Sequence, residues 1–288
     1  MSHTDDILEN FVFPNVKYYE DVVNPTTFIS RETLRKTIED YFNGKNTTDI
    51  SNWDTSEITE MSNLFSNMKQ ISIEPIILNW DTSNVTDMSW MFYNCQQDFI
   101  LNFNTSNVKY MSGMFYNATN FNQPLNFNTS NVTDMRYMFE YAKNFNQPLN
   151  FDTSNVTDMS WMFYNAIHFN QPLHFDTSNV TDMSWMFYNA INFNQPLNFN
   201  TSNVTDMRYM FQYATNFNQP LNFDTSNVTD MCYMFEYATY FNQPIYFQSY
   251  NKSLFDKHKN IYVLTHQHYN KLLLFCVLNQ INPELLYL

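Results

Sequence analysis

The chain of 288 residues contains only two glycines, Gly44 and Gly113. Turns must therefore be built from other residues, and asparagine and aspartate are suitable because they tolerate positive φ and hydrogen-bond to their own backbone. The three cysteines, Cys95, Cys232 and Cys276, lack the spacing of a disulfide framework. We therefore expect neither a glycine-rich phosphate-binding loop nor a disulfide-stabilised scaffold.

Basic residues are also scarce, with 14 Lys and Arg against 28 Asp and Glu and a formal net charge of −14. Nucleic-acid binding needs clustered Lys and Arg, so we expect no nucleic-acid partner. The longest apolar run, Leu272–Leu278, is much shorter than the roughly 20 residues of a membrane span. The first residues, MSHTDDILENFVF, lack the basic and apolar stretches of a secretory signal, which predicts an intracellular rather than a secreted protein.

Most of the chain consists of one repeated segment. Residues 151–173 read FDTSNVTDMSWMFYNAIHFNQPL, and residues 175–197 differ from them only where Asn192 replaces His168. A fixed period of this length is typical of solenoids, propellers and arrays. We count eight copies of about 24 residues, up to about residue 246, and the start of a ninth at Phe247. Their first residues are Trp53, Trp80, Phe103, Phe127, Phe151, Phe175, Phe199 and Phe223.

A single copy is too small to fold alone. Its apolar side chains contribute roughly 1.5–3 kcal/mol each when buried, whereas ordering the backbone costs roughly 1–2 kcal/mol per residue. Stacked copies bury these side chains against their equivalents in the neighbouring copies. Within a copy, residues 148–151 and 155–159 are predicted as short strands, and Trp161–Ala166 as one helical turn.

The pattern predicts four regions along the chain. These are an irregular N-terminal arm at 1–29, a capping helix and spacer at 30–48, the repeat domain at 49–247, and a C-terminal cap or tail at 248–288.

The capping helix is predicted from its ends and its apolar stripe. Ser30 is a suitable N-cap, Leu34 and Ile38 lie on one face, and Gly44 is suited to the position after the C-terminus. A helix of this kind covers the open face of the first repeat, as stacked repeats require.

The repeat resembles the BspA-like leucine-rich repeat family, in the branch whose repeats read W-D-x-S-x-V-T-x-M-x-x-M-F. The segments WDTS at 53–56 and MSNLF at 61–65 carry the resemblance, which covers about residues 28 to 247. It implies an α/β fold, namely a leucine-rich-repeat-type solenoid of about eight 24-residue coils with short parallel strands, turns, single helical turns and an N-terminal capping helix. Family members are typically surface or secreted proteins implicated in adhesion. The missing signal departs from them, and the Asn-rich composition fits an AT-rich genome such as that of a large virus.

A column of variable aromatic residues is the leading candidate binding surface, because each lies one residue before a methionine and is expected to point away from the core. Its predicted members are Trp90, Tyr110, Tyr137, Trp161, Trp185, Tyr209 and Tyr233. An exposed aromatic ladder can contact a protein or a sugar. The alternative is that these rings only cover the edges of the core.

Other recurrent polar residues favour structural roles. A column of aspartates, including Asp158 and Asp182, either binds Ca²⁺ or caps turns, and the absence of calcium-binding repeats favours capping. The Asn-x-Thr sequences, such as Asn155-Val156-Thr157, are read as hydrogen-bonded ladders rather than glycosylation sites. The pair His266 and His268 is too small a ligand set for a metal.

Every Ser, Thr or Asp that could act as a catalytic group recurs in many equal copies, and no nucleophile, base and orienting group stand together. We therefore expect no enzyme activity, no cofactor and no metal. The prediction is a non-enzymatic repeat scaffold that binds a protein partner through an extended face. The alternative is a structural spacer or coat component, for example of a large DNA virus particle, without a dedicated ligand.

Overall fold

The structure, a computed structural model, describes most of the capping and repeat regions. The predicted N-terminal arm at 1–29 and nearly all of the predicted C-terminal region at 248–288 lie outside the described residues, as does the pair His266 and His268. The described residues are 30–47, 49–243, 245–247 and 263–265.

Regular secondary structure is sparse in the described residues. The elements are helix α1 (Arg31–Phe42), a 3-10 helix (Ile50–Asn52) and strands β1 (Ile76–Leu78), β2 (Phe99–Leu101), β3 (Ile245–Phe247) and β4 (Val263–Thr265). Strand β1 pairs in parallel with β2, with Ile76 opposite Phe99. Strand β3 pairs in parallel with β4, with Ile245 opposite Val263.

Elsewhere in the described repeats, parallel pairing is reduced to isolated bridges between equivalent residues. Leu149 pairs with Leu173, and Asp158 pairs with Asp182. The short strands predicted at 148–151 and 155–159 are therefore present as single bridges, not as continuous strands. The main series of bridges joins Glu60, Asp87, Tyr110, Asp134, Asp158, Asp182, Asp206 and Asp230, each with the next.

The core consists of identical side chains stacked in register. The ring of Phe163 lies 5.6 Å from that of Phe139 and 5.6 Å from that of Phe187, nearly parallel to both. The rings of Phe175 and Phe199 are 6.5 Å apart and tilted by 3°. These columns show that the copies lie side by side in register, so the chain is a repeat protein.

The predicted helical turn at Trp161–Ala166 is wrong. Trp161 and Asn165 have φ of 62° and 56°, the left-handed region that a right-handed helix excludes. The amides of Met162 and Ala166 donate to the carbonyls three residues earlier. Trp161 and Asn165 are therefore the third residues of two turns, and a positive φ at that position is the type II arrangement.

The remaining amides of this segment explain the departure from a helix. Trp161 N donates to Ser184 O at 3.0 Å, and Phe163 N donates to Met186 O at 2.9 Å. Every second amide therefore bonds within its own copy, and the others bond to the next copy. A helix would use all of these amides internally and leave the copies without backbone bonds between them.

Helix α1 covers the first copy and is confirmed as predicted. Ser30 Oγ accepts a hydrogen bond from Thr33 N at 3.2 Å, Leu34 and Ile38 are fully buried, and Gly44 follows the helix with φ of 71°. Because each copy turns its carbonyls towards the preceding one, the first copy has no earlier partner for them, and α1 provides one.

Two arginines of α1 bond to these carbonyls. Arg31 Nε donates to Ser62 O at 2.8 Å. Arg35 Nη1 donates to Leu64 O at 2.8 Å, and Arg35 Nη2 donates to Ser66 O at 3.1 Å. The capping helix thus satisfies the polar backbone of the first repeat, since unpaired carbonyls at a buried face are costly.

Candidate interaction surface

Six of the seven predicted aromatic residues form one column, which we call the first ring column. Its members are Trp90, Tyr137, Trp161, Trp185, Tyr209 and Tyr233, and all are half-buried. All six have positive φ. The ring centroids are 4.6 Å apart for Trp161 and Trp185, 3.9 Å for Trp185 and Tyr209, and 5.1 Å for Tyr209 and Tyr233.

The structure places the seventh predicted residue, Tyr110, elsewhere. Tyr110 bridges Asp87 and Asp134 in the column of aspartates, because it precedes the first methionine of its copy whereas the ring residues precede the second. Gly113 holds the ring position in that copy. Aligning every copy on both methionines would have identified the glycine.

Gly113 leaves the space that keeps the column continuous. A Cβ added there would lie 2.4 Å from Trp90 Cε3, so the tryptophan ring lies directly over the glycine. Trp90 thereby stacks on Tyr137, which lies two copies further along the chain, with ring centroids 5.8 Å apart.

A second column of rings runs beside the first and was missed by the sequence analysis. Its members, which we call the second ring column, are Tyr93, Tyr116, Tyr141, Tyr164, Tyr188, Tyr213 and Tyr237. Tyr164 and Tyr188 stack at 4.4 Å, and Tyr213 and Tyr237 stack at 4.7 Å. The columns also contact each other, because Trp161 lies 4.8 Å from Tyr164.

The second column is continuous although its tyrosines come from two different positions of the repeat. Copies with Tyr-Asn, such as Tyr164-Asn165, use the first residue of the pair. Copies with Glu-Tyr, such as Glu140-Tyr141, use the second. The ring of Tyr141 accordingly lies 5.8 Å from that of Tyr116 and 5.3 Å from that of Tyr164. This paired exchange was the sequence signal for the second column.

The stacking determines which parts of the rings are available to a ligand. In the first column, Trp185 is tilted by only 16° to Trp161 and by 20° to Tyr209, so neighbouring rings cover each other's faces. The edges and polar groups remain for contacts outside the stack. A cation–π contact needs an open ring face, so the stacked rings cannot hold a cation by their faces, and a bound cation would need the carboxylates beside the rings.

The aspartates beside the first ring column cap turns, as predicted. Asp158 Oδ1 accepts from Ser160 N at 2.9 Å, and Asp182 Oδ1 accepts from Ser184 N at 2.8 Å. Burial raises the pKa of Asp158, and the nearby Asp182 raises it further. In the described residues, no three His, Cys, Asp or Glu side chains are grouped as a metal site would require.

Arginines lie on two members of this aspartate column. Arg136 Nε and Nη2 donate to Asp134 Oδ1 and Oδ2 at 3.0 Å and 2.7 Å, and Arg136 Nε is 3.8 Å from Asp158 Oδ2. Arg208 Nη2 is 2.7 Å from Asp206 Oδ2. Each arginine lies two residues after its aspartate, where other copies have serine or cysteine.

Glu140 is the most strongly perturbed carboxyl of the surface. Its side chain lies beneath the second ring column, the residue is only 5% exposed, and burial raises its pKa to about 8. Its hydrogen-bond partner is Tyr116, whose own pKa burial raises to about 12. The acid is therefore held mainly neutral in neutral solution.

The segment just before each aspartate carries the polar ladders that the sequence analysis favoured. Asn155 Nδ2 donates to Ser130 O at 2.7 Å, and Thr157 Oγ1 donates to Thr133 O at 3.4 Å. These bonds join consecutive copies and occupy the asparagine amide of the Asn-x-Thr sequence.

The described residues include no helix that is both long and apolar enough to cross a bilayer. The in-register columns define a repeat protein with a surface of stacked rings. The chain belongs to the family described as "Mycoplasma protein of unknown function, DUF285", which matches four overlapping stretches, residues 34–126, 96–175, 125–198 and 173–272. Searches of curated proteins and of solved structures each gave no match.

Proposed function

We propose that this protein is a non-enzymatic scaffold that binds a protein partner through the face formed by the two ring columns. We further propose that its repeats form a BspA-like solenoid of the leucine-rich-repeat type. The observation that carries the function is the continuous surface of half-buried rings, which the repeat maintains through two different sequence arrangements.

The backbone alone does not account for aromatic residues at the positions of positive φ. Nine Trp and Tyr residues have φ between 55° and 62°, a conformation that is uncommon for large side chains. Asn63 adopts φ of 59° at the same position of the first copy, and Gly113 adopts 58°. Asparagine and glycine satisfy this turn, so the rings have a purpose beyond it.

Variation between copies supports the same surface. From residue 127 to residue 246 the core residues and the polar ladders are nearly constant, whereas both ring positions and the residues beside them change. Constant positions hold the copies together, and variable positions give the outer surface a distinct pattern along its length. A distinct pattern is what recognition of one protein requires.

The proposal is tested by replacing Trp161, Trp185 and Tyr209 with asparagine, the residue that Asn63 already places at this turn. Tagged full-length protein is used to isolate partners from its native cells, followed by mass spectrometry. We expect a partner captured by the unchanged chain to fall at least about tenfold, equivalent to 1.4 kcal/mol of binding. Circular dichroism should stay unchanged.

The matched control replaces Thr157 and Thr181 with lysine, which Lys109 shows to be compatible with that position of the repeat. Capture should persist with this control. If the ring variant retains the partner, or if both variants lose it equally, the ring face is not the binding surface.

A structural spacer or coat component is the second candidate, and one observation favours it. The exchange of Tyr-Asn for Glu-Tyr preserves an unbroken second ring column, as expected if the rings stabilise the stack. On this alternative the ring variant lowers the melting temperature strongly, no partner is captured, and the protein is abundant in purified particles.

A further inference from the structure

We propose that the ring face receives an arginine side chain of the partner protein at the carboxylates of Asp158 and Asp182, next to Trp161 and Trp185. This inference rests on the proposed function and specifies the partner chemistry. The site lies in the two nearly identical copies, residues 151–174 and 175–198.

The chain itself shows how an arginine occupies this column of aspartates. Arg136 forms two hydrogen bonds with Asp134 and extends to within 3.8 Å of Asp158. Arg208 lies in the same way on Asp206, at 2.7 Å. Both guanidinium groups are part of the surface, with side chains 43% and 46% exposed.

The two nearly identical copies lack such an arginine. Ser160 and Ser184 occupy the corresponding positions and are buried, so neither extends over the carboxylates. Among the described residues no ion pair is formed by Asp182, and Asp158 has only the long contact with Arg136. The copies directly before and after this pair carry arginines. Asp87 and Asp230 also lack an arginine two residues later, but Asp158 and Asp182 are the only two consecutive aspartates of the described column that both lack one, and we call this place the gap.

An arginine fits this gap better than other cations. Its planar guanidinium has several donors that can bridge two carboxylates, and its aliphatic stem can pack along the open edges of the rings. The stacked pair Trp161 and Trp185 provides that apolar neighbour, with ring centroids 4.6 Å apart. The net charge of −14 also favours encounter with a basic partner.

The test uses calorimetric titration of the full chain with a peptide probe in which arginines alternate with Gly-Gly. The same peptide with lysine or citrulline serves for comparison. We expect the arginine peptide to bind at least about fivefold more tightly than the lysine peptide, and the neutral citrulline peptide not to bind. No arginine binding at about 1 mM, or equal arginine and lysine affinities, would overturn the proposal.

Ser184→Arg fills the gap from within the chain, as Arg208 does one copy later. It should weaken binding of the arginine peptide at least about tenfold. Thr181→Lys adds the same charge at the position of Lys109 and should change the affinity less than about twofold. If both variants weaken binding equally, the attraction is only that of net charge and the proposal fails.

Two further variants keep the result independent of folding defects. Replacing residues 184–189 with the sequence RYMFQY of residues 208–213 introduces the arginine together with its natural neighbours, and should also abolish preferential arginine binding. Arg208→Ser opens a second position beside Asp206 and should increase the number of bound peptides. An unchanged stoichiometry would contradict the inference. Capture of a protein partner through the rings, without arginine binding, would leave the proposed function intact.

Discussion

Six of the eight copies are of two kinds, and their difference shows what the surface preserves. Tryptophan coils, at 80–102, 151–174 and 175–198, combine Ser-Trp with Tyr-Asn. Tyrosine coils, at 127–150, 199–222 and 223–246, combine Arg or Cys and Tyr with Glu-Tyr or Gln-Tyr. Both kinds contribute one ring to each column, so the ring surface is kept while its polar neighbours change.

The two kinds of coil place the polar side chain of this residue pair in different surroundings. In tryptophan coils the asparagine bonds to the neighbouring copy at the surface, as Asn94 Nδ2 does to Asn67 Oδ1 at 2.8 Å. In tyrosine coils the polar side chain lies beneath the rings, where Gln212 Nε2 donates to Glu236 Oε2. Glu140 and Gln212 are therefore buried polar groups at a position where the tryptophan coils have a tyrosine.

The largest predicted effect concerns Glu140, the buried acid of the first tyrosine coil. Its pKa of about 8 lies above its ordinary value of 4.5, so its contribution to stability is complete below pH 4.5 and is lost as pH rises to about 8. Glu140→Gln, which copies Gln212, should remove this loss. Measured by urea unfolding, the variant should gain up to about 5 kcal/mol over the unchanged protein between pH 4.5 and 9.

Asp152 is a suitable control, because its pKa is shifted in the opposite direction to that of Glu140. Ser154 hydrogen bonds lower the pKa of the exposed Asp152 below 3.8, so its contribution is lost as pH falls, and Asp152→Asn should show no change above pH 5. A stability difference between Glu140→Gln and the unchanged protein that stays constant from pH 4.5 to 9 would show that Glu140 is not held neutral.

The stacking of the repeats and the capping helix were predictable from the sequence, because identical residues at one period make identical contacts. The left-handed turn at Trp161 was not. Met162, Phe163 and Ala166 have the spacing of a helix, and the amides that bond to the next copy become evident only when two copies are placed together. The second ring column was obscured for a related reason, since Tyr141 and Tyr164 occupy different sequence positions but adjacent places in space.

The next prediction concerns Glu140 and Tyr141 separately, the two residues that replace the Tyr-Asn pair of the tryptophan coils. Tyr141→Asn leaves Glu140 in place and removes one ring between Tyr116 and Tyr164. We expect it to lower the free energy of unfolding by about 2 kcal/mol, less than for a fully buried ring. The double variant Glu140→Tyr, Tyr141→Asn converts the coil to the tryptophan-coil arrangement and should lie within about 1 kcal/mol of the unchanged protein at pH 6.

Chemical denaturation of Glu140→Tyr, Tyr141→Asn and the double variant measures the coupling energy between residues 140 and 141. If the effects of the single substitutions simply add in the double variant, the two residues are not exchanged as a unit. The comparison between the two kinds of coil would then have no energetic basis.

The smallest effect is expected at Gly113, which lies in the one copy between Trp90 and Tyr233 that contributes no ring to the first ring column. Gly113→Ala should displace Trp90 from Tyr137, because the added Cβ would lie 2.4 Å from the indole, and should cost about 1 kcal/mol. In a background with Trp161→Tyr and Trp185→Tyr, acrylamide quenching should report greater exposure of Trp90, since Trp53 and Trp80 are buried. Gly44→Ala is the control, because Gly44 has φ of 71° and nothing within 4 Å of an added Cβ. Equal quenching in both variants would mean that Trp90 does not depend on the glycine.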